Sequence, residues 1–273
     1  MPRLSMNELT TFRWSFDKDV FQYQRAGYQA IGLWRQKLSD FGEERAVELL
    51  AESELKVSSL FFAGGFTGND GRTLTESIED ATAALHLAAE VGAASVILFT
   101  GGRNNHTFRH SERLLNTALD ELLPLAETLE VALALKPKHP ACAAQWTFLT
   151  DLPATLAFVQ QHDSPWLKIV YDTYHFPNAT QSLEFLAELV PYLALVHVAD
   201  GNVSRSIDQE QCLLGGGSVR LEEIVSALLE AGYDGDFEVK LSGSEIEGTP
   251  YHEILQRSQQ KLSNCLRTLA RSW

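Results

Sequence analysis

The sequence predicts an α/β protein built as one (β/α)8 barrel, and three observations support this fold. Eight short apolar runs recur along the chain, and each is followed by a segment with apolar residues at helical spacing. The runs are continuously apolar, as in parallel strands that are covered on both faces. The length of 273 residues is typical of such a barrel. An open doubly wound sheet is the alternative, but no Gly-x-Gly-x-x-Gly motif opens the first helix. We therefore expect residues 1–273 to form a single barrel domain.

The first half of the chain contains four predicted strands. They cover residues 4–10, 30–34, 57–62 and 95–100, and helices are predicted over 14–26, 43–52 and 74–91. The first and last of these helices stop at Gly27 and Gly92, because glycine is common directly after a helix C-terminus. This half therefore reads as strands that alternate with helices.

The second half repeats this alternation. Helices are predicted over 114–129, 153–161, 182–192, 221–231 and 251–269, and strands over 131–135, 169–172, 195–198 and 237–241. Pro124 lies inside the first of these helices and predicts a kink there. The triplet Ala-Gly-Tyr occurs at both 26–28 and 231–233, each time between a helix and a strand. This local repetition favours the barrel.

The composition excludes several classes of function. A formal net charge of −14 argues against a nucleic-acid surface and fits a small polar substrate. The three cysteines lie far apart without a Cys-x-x-Cys motif, as expected of reduced thiols in the cytosol. The chain has no cationic N-terminal segment leading into an apolar one, and no apolar run of transmembrane length. We expect a cytoplasmic protein with neither nucleic-acid nor membrane partners.

Side chains capable of chemistry follow the sixth and seventh predicted strands. One strand ends in Asp172-Thr-Tyr-His175, and the next contains His197-Val-Ala-Asp200. The carboxyl ends of barrel strands meet at one rim, so we expect these four residues to share a pocket. A lone Asp at a strand end is commonly a helix cap, and a lone His is commonly structural. The occurrence of an Asp and a His together on two neighbouring strands is what indicates a functional site.

These motifs resemble those of the xylose isomerase-like TIM barrel superfamily, the group of sugar phosphate isomerases and epimerases that also includes endonuclease IV-type barrels. Gly232-Tyr-Asp-Gly235 is similar to its turn before strand eight, and Leu33-Trp-Arg35 to the end of its second strand. The similarity spans residues 4–262. It implies a sugar isomerase or epimerase with one divalent metal, held by Glu, Asp, His and Glu from strands five to eight. It also implies a homodimer, since members of the group often dimerise.

The sequence departs from that pattern at both metal-binding glutamates. Strand five ends in Lys136-Pro137 where the pattern has Glu-Pro, and strand eight ends in Glu238-Val-Lys240 where it has Glu-Val-Glu. An ammonium group has three donors and no lone pair, so it repels a metal ion. We therefore predict that no cofactor is bound. The alternative is a divalent metal such as Mn, Mg or Zn at a shifted site made by Glu238, Asp172, His175 and His197.

Three hypotheses follow for the two lysines. In the first, the chain is an enzyme for a sugar, sugar phosphate or polyol, in which Lys136 and Lys240 stabilise an enolate. Asp172 then orients the lysines, and His175 or His197 moves protons. In the second, the chain is a non-catalytic binding module for an anionic sugar derivative. In the third, the lysines only neutralise Asp172 in an inactive site. The predicted substrate-binding residues are Trp34, Arg35, His106, Asp200, Arg205 and Glu238.

Overall fold

Eight parallel strands close into a barrel in the computed structural model, which describes residues 2–178, 182–202 and 210–269. The strands are β1 Arg3–Asn7, β2 Ala30–Trp34, β3 Lys56–Gly64, β4 Ser95–Phe99, β5 Ala132–Leu135, β6 Leu167–Asp172, β7 Leu193–Val198 and β8 Asp236–Val239. β8 pairs with both β7 and β1, so the sheet closes on itself. The predicted (β/α)8 barrel is confirmed.

Helices connect the strands around the outside of the barrel. They are α1 Phe16–Arg25, α2 Arg35–Phe41, α3 Glu43–Glu52, α4 Leu74–Glu90, α5 Phe108–Leu129, α6 Pro140–Ala143, α7 Leu152–Gln161, α8 Leu183–Leu189, α9 Leu221–Glu230, α10 Ser244–Gly248 and α11 Tyr251–Leu269. Two further strands of two residues each, Asp200–Gly201 and Gln211–Cys212, pair antiparallel after β7. Within the described ranges, every helix is too short or too polar to cross a membrane.

Several element boundaries differ from the predictions, and three short helices, α2, α6 and α10, were not predicted. β1 ends at Asn7 because the chain turns there, with the Thr10 amide donating to the Asn7 carbonyl at 2.9 Å. α5 begins at Phe108 because the Thr107 hydroxyl caps its first turn, and it continues through Pro124. α2 follows β2 directly and was missed, because its short polar sequence shows little apolar periodicity.

The inside of the barrel contains an apolar group and a polar layer. The apolar group consists of Phe61, Ile97, Phe99, Ala134, Val170 and Leu195. Side chains alternate along a strand, so residues two positions apart point to the same side. Lys136, Asp172 and His197 each lie two positions beyond a member of that group. The strands therefore bring these polar side chains together at the carboxyl end of the barrel.

Candidate functional site

A buried network of four charged or titratable side chains joins the last four strands. Lys136 follows β5, while Asp172, His197 and Glu238 lie on β6, β7 and β8, and all are at most 1% exposed. The sheet register places His197 directly beside both Asp172 and Glu238. The Lys136 Nζ lies 2.8 Å from Asp172 Oδ2 and 2.5 Å from His197 Nδ1. The lysine therefore occupies the space between the carboxylate and the imidazole.

The contacts of His197 define its protonation state. An ammonium group can only donate, so Lys136 donates to Nδ1, and the proton of the imidazole is on Nε2. That Nε2–H donates to Glu238 Oε1 at 3.0 Å. Burial and the nearby Lys136 charge lower the pKa of His197 to about 4, which agrees with a neutral ring. Burial alone raises the pKa of Asp172, but the charge of Lys136, with a smaller contribution from His175, outweighs it and holds that pKa below its usual range.

Glu238 also accepts hydrogen bonds from three residues on two further strands, β1 and β3. Asn7 Nδ2 donates to Oε1 at 2.6 Å, and the hydroxyls of Ser58 and Ser59 donate to Oε2 at 2.6 and 2.9 Å. Burial raises the pKa of Glu238, but the contacts with His197, Ser58 and Asn7 outweigh it, so the pKa is lowered. A side chain at Gly32 would meet the carboxylate at 2.5 Å. The glutamate is therefore ionised and tightly enclosed.

Sequence reasoning missed the two serines that bind Glu238. A signal was present, because Ser58 and Ser59 are small polar residues inside the apolar run of β3. A buried hydroxyl needs a hydrogen-bond partner, so such residues in a barrel strand indicate a polar group across the interior. Their partner was not identifiable, since it lies on a distant strand.

A cavity of about 390 Å³ opens at the carboxyl ends of the strands. Its walls carry six aromatic rings, which belong to Phe12, Trp34, Phe61, Phe62, Phe99 and Trp146. The remaining lining residues are Leu9, Thr10, Lys138, Lys240, Leu241, Ser242, Gly243, Ile246 and Glu247. Binding sites of barrels of this type lie at this face, so the cavity is the candidate active site.

Among the residues that the structure describes, Lys138 and Lys240 supply the positive charge of the cavity. Lys138 Nζ lies 4.7 Å from the centroid of the Trp146 ring and 5.2 Å from that of Phe99. Lys240 Nζ lies 5.8 Å from the centroid of the Phe61 ring. Lys138 is 2% exposed and Lys240 is 9% exposed. Both cations therefore lie against aromatic rings, in the arrangement of cation–π pairs.

A scan against protein families matches residues 21–265 to the model described as xylose isomerase-like TIM barrel. The match covers most of the chain and agrees with the strand order and with the polar strand ends. The chain belongs to this family. No curated protein sequence matches it.

Several solved structures have the same fold. The protein SMc04130 from Sinorhizobium meliloti 1021 is 24% identical, with a TM-score of 0.87 over 96% of this chain and 98% of that one. An IOLI protein described with a bound zinc atom is 20% identical, with a TM-score of 0.84 over 97% and 98%. An L-ribulose 3-epimerase is 18% identical, with a TM-score of 0.81 over 100% and 97%. At these identities the likeness concerns the fold.

The structure separates the predicted residues of this family member into two groups. Lys240 and Trp34, both predicted to act on or bind a substrate, line the cavity. Lys136, by contrast, is fully enclosed in the network and does not line the cavity. His175 is also buried, with Nε2 4.0 Å from Asp172 Oδ2. The predicted pair of Lys136 and Lys240 is therefore not a pair of neighbouring cavity residues.

Lys138, and not Lys136, is the lysine after β5 that lines the cavity. The sequence Lys136-Pro-Lys138 contained a signal for this, because side chains two positions apart in extended backbone point the same way. Lys138 therefore continues the inward row one step nearer the open end of the barrel. Trp146 and Phe62 were also outside the predicted set.

Arg35 and His106, which the sequence predicts to bind substrate, do not line this cavity. Arg35 forms an ion pair with Asp80 at 2.9 Å, which draws its side chain towards α4. His106 Nε2 lies 3.3 Å from the carbonyl oxygen of Thr67 in a neighbouring loop. Arg205, also predicted to bind substrate, lies outside the described residues.

Asp200 likewise does not line the cavity. Its two carboxylate oxygens accept hydrogen bonds from the backbone amides of Gly201, Gly215, Gly217 and Val219, at 2.8 to 3.2 Å. The side chain therefore fixes the loop that leads from β7 to α9. Both oxygens of this carboxylate therefore have hydrogen-bond partners within the protein.

Proposed function

We propose that the chain is an isomerase or epimerase-type enzyme for a carbonyl compound of the carbohydrate class, and that it works without a divalent metal. The proposal that no divalent metal takes part rests on the position of the Lys136 ammonium group. This group lies within hydrogen-bond distance of both Asp172 and His197. In the family pattern, these two residue types bind the metal. Here a lysine cation neutralises Asp172 in its place.

A divalent ion does not fit the residues at this position. Its ligands must offer lone pairs, whereas Lys136 offers three donors between the two remaining ligand types. Across the described part of the chain, no group of three or more His, Cys, Asp or Glu side chains is arranged to hold a metal ion. The similar IOLI protein is described with a bound zinc atom, so the fold itself is compatible with a metal ion. Whether an ion fits in this chain therefore depends on the side chains at the position, Lys136, Asp172 and His197.

The shifted metal site fits no better. It requires a carboxylate oxygen of Glu238 to face the ion together with Asp172 and His197. Both oxygens of Glu238 instead accept hydrogen bonds, from Asn7 and His197 on one side and from Ser58 and Ser59 on the other. A metal would have to displace these donors from a fully buried group.

The cavity offers chemistry of another kind. Removing a proton from the carbon beside a carbonyl group places negative charge on the carbonyl oxygen, and ammonium donors stabilise that charge. Lys138 and Lys240 line the cavity and are our candidates for this role. Glu247 is the one carboxylate among the lining residues in the described ranges, and we assign it as the proton acceptor. The network of Lys136 below the cavity positions the strand ends and does not touch the substrate.

A binding protein without catalysis is the second candidate. It is favoured by the complete burial of Asp172, His197 and Glu238, which removes the strongest acid–base groups from the cavity. In this case Lys138 and Lys240 hold an anion, and no proton moves.

Elemental mass spectrometry and isotope exchange test the proposal. Protein purified without chelator should contain no stoichiometric divalent metal. With a panel of ketoses, aldoses and oxo acids in deuterium oxide, it should exchange the proton beside the carbonyl group, unchanged by manganese or EDTA. Lys240→Met should abolish exchange. One metal ion per chain, lost on Asp172→Asn, would overturn the metal-free mechanism, and saturable binding without exchange would favour the binding protein.

A matched variant checks the origin of the metal specificity. The double substitution Lys136→Glu with Lys240→Glu restores the two carboxylates of the family pattern. If the lysines exclude the metal, this variant should take up about one Mn²⁺ or Zn²⁺ ion per chain, while circular dichroism confirms its fold. A folded variant that takes up no metal would contradict the assignment of the metal position.

A further inference from the structure

We infer that Glu8 is a neutral carboxylic acid hydrogen-bonded to the Asp19 carboxylate, and that this pair holds one wall of the cavity in place. The two residues belong to a second buried polar cluster, which also contains Thr11, Tyr23 and Lys37. These side chains do not line the cavity. Glu8 is therefore a positioning residue, and its role does not depend on the identity of the substrate.

The charged groups of the cluster come from three elements of the fold. Glu8 follows β1, Asp19 lies on α1 and Lys37 lies on α2, and none of the three is more than 6% exposed. With both carboxyl groups ionised, the cluster would enclose two negative charges and one positive charge. A buried charge without a partner is costly. One proton held by the two carboxyl groups removes this imbalance.

The hydrogen bonds identify Asp19 as the ionised member of the pair. Lys37 Nζ donates to its Oδ2, and the Thr11 hydroxyl donates to its Oδ1 at 2.8 Å. Thr11 has a single hydroxyl hydrogen, so the Tyr23 hydroxyl, 2.5 Å away, donates to Thr11 in turn. An ionised carboxylate can only accept hydrogen bonds. Asp19 therefore has the donors that its charge requires.

Glu8 has the surroundings of a neutral acid. Its Oε2 accepts a hydrogen bond from the Trp34 amide at 2.7 Å. Among the described residues, none donates to its other oxygen, Oε1, although that atom is buried. A proton on Oε1 can be donated to the neighbouring Asp19 carboxylate. Burial and the Asp19 charge, which outweigh Lys37, raise the pKa of Glu8 well above its usual range, in agreement with this placement.

The cluster connects segments that form one side of the cavity. Three lining residues come directly after Glu8 in the chain, namely Leu9, Thr10 and Phe12. Trp34, whose amide is bound by Glu8, also lines the cavity. Lys37 Nζ donates in addition to the Thr11 carbonyl at 3.0 Å. Loss of the proton would leave two carboxylates facing each other, so we expect it to loosen this side of the cavity.

Infrared spectroscopy of the full chain tests where the proton lies. A protonated carboxyl group has a carbonyl band that an ionised carboxylate lacks. At pH 7 we expect the wild type to show a band of this kind that is absent from Glu8→Gln. The matched control is Glu48→Gln, at an exposed position of α3, which should retain the band. No loss of the band in Glu8→Gln would overturn the inference.

The pH dependence of unfolding provides a second measurement. Glutamine can make both hydrogen bonds of a neutral Glu8, but it cannot ionise. The pKa of Glu8 is raised above the 4.5 of an ordinary glutamate, so the folded chain keeps a proton that the unfolded chain releases. From pH 7 to pH 8, the wild-type unfolding equilibrium constant should therefore rise about tenfold relative to that of Glu8→Gln. A constant ratio would show that Glu8 is ionised in the folded chain.

Hydrogen exchange tests the effect on the cavity wall. At pH 9 the amides of residues 9–11 should exchange faster in the wild type than in Glu8→Gln, because only the wild type can lose the proton. Amides of β5 should exchange equally in both proteins. Equal exchange at residues 9–11 would refute the positioning role, even if the infrared band assigned the proton to Glu8.

Discussion

Replacing Lys136 with methionine should destabilise the protein strongly. The side chain is fully buried, and its Nζ contacts both Asp172 and His197. Methionine fills a similar volume but leaves the Asp172 carboxylate without its cation. Breaking a buried ion pair from one side costs about 3–5 kcal/mol, a large part of the 5–15 kcal/mol typical of a folded domain.

His197 should partly compensate for the lost cation. Lys136 is the main charge that keeps a proton off the imidazole, so its removal should raise the pKa of His197 above about 4. A protonated imidazole then lies between Asp172 and Glu238, with Nδ1 3.9 Å from Asp172 Oδ2. We therefore expect the lower end of the range, about 3 kcal/mol, and a smaller loss at acidic pH.

Urea unfolding followed by circular dichroism measures this loss, and NMR titration of the His197 ring measures the pKa. Lys56→Met is the control, since Lys56 is an exposed residue at the start of β3. In a double-mutant cycle, Asp172→Asn should recover at least about 1 kcal/mol in the Lys136→Met background. A loss below about 1 kcal/mol, or an unchanged His197 pKa, would refute the assignment of Lys136 as the buried counter-ion.

Three further predictions concern other buried groups. Burial and Lys136 lower the pKa of His197 from 6.5 to about 4, so the unfolded chain binds the proton more readily, and wild-type stability should fall by up to about 3 kcal/mol between pH 7 and pH 4. Urea unfolding of His197→Gln should lack this component, and an equal slope would contradict it. Lys37→Met removes the cation that is bonded to buried Asp19 and should lower the free energy of unfolding by about 3 kcal/mol at pH 7. The loss should be smaller at pH 5, because burial raises the pKa of Asp19 to about 6. A loss that does not change with pH would argue against this pairing. Asp200→Ala should speed hydrogen exchange at the amides of 215–219 while β5 stays protected, and unchanged exchange would show that the loop does not depend on the carboxylate.

Much of the fold could be predicted because its signals are local. Apolar runs and helical spacing are properties of neighbouring residues, and they indicated all eight barrel strands. Strand direction then placed Asp172 and His197 at one rim. The missed helix α2 is short and polar, and the start of α5 depends on the Thr107 cap, so these details needed more than periodicity.

The composition of the candidate site was also partly predictable. Alternation along strands is a period of two residues, so the sequence determined that Lys136 and Lys138 point inward together, as do Glu238 and Lys240. It also contained the substitution of lysine for the glutamates of the family pattern. These patterns do not show which member of each pair is enclosed in the network and which one lines the cavity.

The tertiary structure alone decided how these side chains are divided between network and cavity. The depth of a residue in a barrel depends on the stagger between neighbouring strands, which is a property of the closed sheet. That register sets His197 beside both Asp172 and Glu238, and Lys136 then fills the space between two of them. Thus the sequence determined the residue types and the side they face. Only the closed barrel decided that Lys136 neutralises a buried carboxylate while Lys138 and Lys240 face the cavity.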